Sequence, residues 1–129
     1  MNSLNFKDKY PINTIEISKD SSNFNSVDAI IEHIKAKVLE HPVATYIATF
    51  DNYEHTSSLK VGEIDKKIIN AKIAIFCFGK EIPTPLVLGV RPRSIGVAEL
   101  ENSFVLSFLE APNQNANDTM KEWCKGVKK

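Results

Sequence analysis

Two guanidiniums flank a proline in GVRPRSIGV, residues 89 to 97. Arg91 precedes Pro92 and is held out of the α region, so Arg91 and Arg93 are expected on the same side of an extended chain. Two planar forks at a strand entrance suit a carboxylate or a phosphate. They suit equally well an internal carboxylate, Glu81, Glu99 or Glu110, which would tie the loop to the end of a sheet. A second cluster lies in FDNYEHTSS, where Asp51, Tyr53 and His55 sit at alternate positions. Were that segment helical, Asp51 and His55 would share a face, as an acid–base pair or two metal ligands. A metal needs a third ligand and none is in view, so no metal is assigned. The plainer reading is a polar loop with Asp51 making a turn.

The other reactive side chains carry less. Cys77 lies mid-strand between Phe76 and Phe78, and Cys124 beside Trp123 on a helical stripe; both read as buried structural thiols, since neither has a neighbour that would stabilise a thiolate. His33 reads as a solvated residue on a helix flank. His41 is a helix-end residue, where a partial positive charge suits the dipole. Ser57, Ser58, Ser94 and Ser107 have no nucleophile elbow or triad spacing. The glycines form no phosphate loop, and no cofactor is implied.

These residues must be positioned by the elements around them. Ser26 caps a helix whose apolar positions are Val27, Ile30, Ile31, Ile34 and Val38, ending near Glu40 because His41 precedes Pro42. VATYIATF, 43 to 50, reads as a strand, and residues 63 to 70 as a short helix with Ile64 and Ile68 inward. KIAIFCFG, 72 to 79, is apolar on both faces and reads as a central strand covered on both sides. Thr84, Pro85 and Gly89 outline one short helical turn. SIGVAEL and SFVLSFLE form a hairpin around Glu101-Asn102, with Val97 opposite Leu106 and Glu99 opposite Phe104. Its bulky face holds Ile95, Val97, Phe104, Leu106 and Phe108; its other face holds the small residues Gly96, Ala98, Ser103 and Ser107. A closing helix carries Ala116, Met120, Trp123, Cys124 and Val127 on one stripe, capped by Asn115 or Asn117. INTIEIS, 12 to 18, reads as an edge strand.

The fold class is therefore α+β: a single domain over 1–129, with a mainly antiparallel sheet of about five strands and two longer helices packed on one face. Residues 1–11 are expected to be disordered and 126–129 to be a basic tail. A ferredoxin-like arrangement is the alternative. Sixteen basic residues balance sixteen acidic ones, which excludes a field that would draw nucleic acid or anionic lipid. No apolar run reaches the length of a membrane span, no leader pattern opens the chain, and two unpaired cysteines suit a reduced compartment, so a cytoplasmic protein is expected.

The stretch FCFGKEIPTPLVLGVRPRSIGVAELENSFVLSFLEAPNQNANDTMKEW, with FD-x-Y-x-HT upstream, resembles a small family of uncharacterised bacterial proteins. Its most specific parts are FCFGK and VRPRSIGV. More distantly, the layout is similar to the bacterial domain of unknown function 302 group, small α+β domains. The resemblance implies the fold and no activity, and gives no catalytic residue to carry over.

The functional expectation is a non-enzymatic domain that self-associates, as a homodimer, and binds a small anionic ligand through Arg91, Arg93, Tyr53 and His55. One alternative is a small enzyme using His55 and Asp51, with Arg91 or Arg93 holding an anionic substrate. Another is a protein-interaction module docking through the sheet.

Overall fold

Ser26 accepts from the Ala29 amide at 3.0 Å and starts helix α1 (Val27–Glu40) in the computed structural model, which describes residues 1–129. The helix stops at Glu40, two residues before Pro42, with His41 between them extended as the steric rule requires. Its buried residues are the five its spacing predicts, Val27, Ile30, Ile31, Ile34 and Val38.

The sheet has six strands: β1 (Asn2–Phe6), β2 (Tyr10–Ser18), β3 (Ala44–Phe50), β4 (Asn70–Phe78), β5 (Arg93–Glu99) and β6 (Ser103–Leu109). Their spatial order is β1-β2-β6-β5-β4-β3 and every pairing is antiparallel. The hairpin register is as predicted, with Val97 opposite Leu106 and Glu99 opposite Phe104. α1 and the closing helix α3 (Gln114–Lys125) bury one side of the sheet over Ile17, Ala74, Phe76, Ile95, Val97, Phe104, Leu106 and Phe108. Trp123 stacks on Phe78 and meets Phe76 edge-on, with both ring centroids 5.4 Å away.

Several expectations are corrected. Residues 2–6 are a strand, where disorder was expected, because Lys7 and Asp8 take positive φ and fold the chain back onto β2. This strand raises the count from about five to six and displaces 12–18 from the edge. Strand β4 lies one place in from the β3 edge, with helices on its Ala74 and Phe76 side; Ile73, Ile75 and Cys77 on the other side are half-buried. The short helix is α2 (Asn52–Ser57), not 63–70. Asp51 caps it by accepting from the Glu54 amide at 2.9 Å, whereas Asp65 accepts from the Lys67 amide and turns the later segment. Asn113, and not Asn115 or Asn117, caps α3. The tail is tied down: Val127 is buried, and the Lys129 amide donates to the Ser21 carbonyl at 2.8 Å. His33 also differs from its solvated reading, donating through Nε2 to the Trp123 carbonyl at 2.9 Å and joining α1 to α3.

Candidate functional site

At the end of the sheet where β4 and β6 finish and β5 begins, three loops and two helix ends surround a cleft of about 600 Å³. β4 delivers Phe78, Gly79 and Lys80; the entry to β5 delivers Val90, Arg91 and Arg93. The C-terminal end of α1 contributes His41, and the start of α3 contributes Asn113, Asn115 and Ala116. The two stretches FCFGK and VRPRS, far apart in sequence, thus meet at one wall.

Gly79 makes that meeting possible. Its φ is +109°, a region that side-chain-bearing residues avoid. A Cβ there would lie 2.4 Å from Arg91 Nη2 and 3.0 Å from Cζ, so the guanidinium rests against bare backbone. Arg91 Nη2 then donates to the Glu81 carbonyl at 3.0 Å. Arg93 donates through Nη1 to the Val90 carbonyl at 3.1 Å and through Nη2 to the Leu109 carbonyl. The Arg91–Pro92 peptide is cis.

Neither arginine forms an ion pair. The structure's salt bridges lie elsewhere, and Glu99 is held by Lys19 at 2.7 Å. The expected tie to Glu81, Glu99 or Glu110 is therefore made to backbone carbonyls and not to carboxylates. A carbonyl satisfies a donor and leaves the charge in place. Arg93 Nε is buried without a partner, and burial holds the Arg93 guanidinium below its usual pKa. Against the three cations Lys80, Arg91 and Arg93, the cleft wall sets one carboxylate, Glu81.

Two further groups favour negative charge. The first amides of α3 have no acceptor within the helix, and the helix dipole adds partial positive charge at that end. His41 Nδ1 accepts from the Val43 amide at 3.2 Å, which puts its proton on Nε2 as a further donor. Asn117, 2 % exposed, fixes the approach of α3. Its side chain accepts from the Ala111 amide at 2.7 Å and donates to the Ala111 carbonyl at 2.8 Å, holding the Ala111–Asn113 wall.

Asp51, Tyr53 and His55 lie at the opposite end of β4, about 20 Å of strand away. Asp51 and His55 do fall on one short helix, but Asp51 is engaged by the Glu54 amide and lies 3.6 Å from Lys72. Lys72 also pairs with Asp28 at 2.6 Å; the bond to Asp28 is the largest cause of its raised pKa. His55 packs on the Phe50 ring, with centroids 5.3 Å apart. Tyr53 borders a separate hollow of about 180 Å³ with Glu63, Ile64 and Asp65. The four residues of the expected ligand set are thus divided, Arg91 and Arg93 in the cleft, Tyr53 and His55 outside it. Gly79, His41, Asn113 and Asn117 were missed as site residues. Gly79 alone left a local trace, as the glycine ending an apolar strand.

Over residues 1–129 the sequence matches a family of unknown function, DUF6858. The chain belongs to that family. No curated protein and no solved structure matches it. No helix of this DUF6858 chain is long and apolar enough to cross a membrane.

Proposed function

We propose that the cleft binds a small anion, an inorganic phosphate or an organic phosphate or carboxylate, received by Arg91 and Arg93 at the N-terminal end of α3. The observation that carries this reading is a pair of guanidiniums bonded to carbonyls alone, with no carboxylate ion-paired to either. Partly buried cations lose hydration without regaining a counter-charge, and a bound anion would restore it. Arg91 has most of its five donors free for a bidentate contact. Phe78, Val87, Val90 and Pro112 add apolar walls that fit the organic portion of such a ligand. The protein acts in this reading as a ligand-binding domain, and we take its setting to be the cytoplasm, on its balanced charge and the free thiols of Cys77 and Cys124.

Thermal unfolding in phosphate, sulfate, acetate or citrate, at constant ionic strength against chloride, tests the proposal. A ligand that binds only the folded state at a hundred times its Kd adds about 2.7 kcal/mol. Arg91→Lys should lose most of the gain, since an ammonium cannot reproduce the fork. Equal melting points in all the salts would end the binding reading.

A further inference from the structure

We propose that the ligand of the cleft is an amphipathic anion, a phosphate or carboxylate that carries an alkyl chain and is free in solution. This inference rests on the anion-binding reading and adds the chemical class of the rest of the ligand. The cleft measures about 600 Å³, within the range of sites for whole organic molecules. A lone phosphate has the bulk of roughly two or three waters at ~30 Å³ each and would leave most of that space wet. One wall is the strap of residues 80–92. From Ile82 to Val90 it has no charged residue, and Ile82, Leu86, Val87, Leu88 and Val90 are large and apolar. Loops that face solvent are ordinarily polar. None of these five belongs to the packed core: Val87 is half-buried against the cleft, and Leu86 is 85 % exposed. Apolar side chains kept at the surface without serving the core mark a binding groove, and the cations beside them select a ligand charged at one end.

Strand order sets the direction of the ligand. Arg93 continues the row of Ile95 and Val97 on β5, and Phe78 that of Ala74 and Phe76 on β4, so both side chains lie on the helix-bearing side of the sheet. The Arg93 guanidinium reaches toward β6, where it bonds the Leu109 carbonyl. On the other side of β4, the Gly79 amide donates to the Val43 carbonyl at 3.2 Å and brings Val43 next to Phe78, at the start of β3. The charged end of a ligand therefore falls over β5 and β6, beside the N-terminus of α3, and its apolar end over β4 and β3. From β5 to β3 is two strand spacings, roughly 10 Å, the length of an extended chain of about eight carbons. Trp123 stacks on Phe78 with centroids 5.4 Å apart, so this apolar floor is fixed before any ligand arrives.

Thermal unfolding of the full chain with methyl, butyl, hexyl and octyl phosphate, at constant ionic strength, tests this. Dissociation constants taken from the shifts should fall about two- to fourfold for each added methylene, as for a CH₂ half to fully removed from water. Glycerol phosphate should bind no more tightly than methyl phosphate, and uncharged hexanol should not stabilise the protein. Val87→Ser and Val43→Ser, both outside the packed core, should each weaken octyl phosphate about fourfold or more relative to methyl phosphate. Stabilisation by phosphate with no dependence on chain length would overturn this inference and leave the anion site standing. Indifference to every anion would end the anion site itself, and this inference with it. Tighter binding of glycerol phosphate than of hexyl phosphate would also overturn it. So would a chain that sediments with phosphatidic acid vesicles but ignores hexyl phosphate, since its apolar strap would then belong to a bilayer.

Discussion

Replacing Gly79 by alanine should damage the fold and the cleft together, and the two effects can be separated. The φ of +109° would strain an alanine by about 1–3 kcal/mol. The new Cβ would also stand 2.4 Å from Arg91 Nη2, so the guanidinium must leave its place and give up its 3.0 Å bond to the Glu81 carbonyl. One such bond at a largely exposed site is worth about 1 kcal/mol. The combined loss is then about 2–4 kcal/mol, a fall in Tm on the order of 10 °C for a chain of this length. Stabilisation by phosphate should fall with it, because Arg91 no longer lies at the wall.

A double-mutant cycle in denaturant supplies the assay. Arg91→Ala alone should cost about 1 kcal/mol and abolish most of the phosphate response. In the Arg91→Ala background, Gly79→Ala should cost the backbone strain alone, so the two losses should sum to more than the double variant shows. Additive losses would mean that Gly79 and Arg91 do not touch. A Gly79→Ala protein with wild-type stability and an undiminished phosphate response would refute the account of how this cleft is built.

Asn117→Ala should cost about 2–4 kcal/mol by urea unfolding, since it strands the buried amide and carbonyl of Ala111. It should also weaken the phosphate response, and a loss below about 0.5 kcal/mol would show that water replaces the side chain. Trp123→Ala should cost about 3–5 kcal/mol as a core truncation; a small change in denaturant midpoint would place α3 outside the cooperative core. Burial pushes the Cys124 thiol from 9.0 up to about 12. Being an acid with a raised folded-state value, it leaves stability unchanged below pH 9 and lowers it as pH climbs from 9 toward 12. Cys124→Ala should therefore flatten the alkaline fall by about 1.4 kcal/mol at pH 10, read as the pH dependence of unfolding free energy. Half-buried Cys77 should react with a thiol reagent in the native protein well before Cys124 does, and equal rates would contradict the burial difference.

What the sequence disclosed and what it withheld follow from the range of the interactions. The helix α1 was legible because the Ser26 cap, the apolar spacing and Pro42 each act on residues within a turn or so of themselves. The β5–β6 register was legible because a two-residue turn fixes which side chains face each other. Strand β1 was not, since its turn places Lys7 and Asp8 at positive φ, which Asn-Gly would have announced and Lys-Asp does not. The short helix was misplaced because Asp51 and Asp65 are both competent to bond a following amide, and tertiary packing decides which of them starts a helix. At the site, the chain's own geometry brought Arg91 and Arg93 to one cleft. That Tyr53 and His55 would lie at the far end of β4 depended on strand order, which no local pattern encodes.

The way the arginines are held bears on why they are there. An arginine serving only to tie a loop would bond a carboxylate, with charge neutralised and the fork filled, and Glu110 lies immediately beside Leu109, whose carbonyl Arg93 takes instead. Using carbonyls anchors the guanidinium in position and keeps its charge available. Arg93 then bears a desolvation penalty, visible in its lowered pKa, and leaves Nε buried without an acceptor. Arg91 is laid flat on a glycine that no side chain can replace without displacing it. Asn117 spends a fully engaged buried amide on setting the α3 end against the same wall. Each feature costs stability or restricts the sequence, and none adds to the packed core between sheet and helices. Oriented and unneutralised cations beside a helix N-terminus are what anion recognition requires.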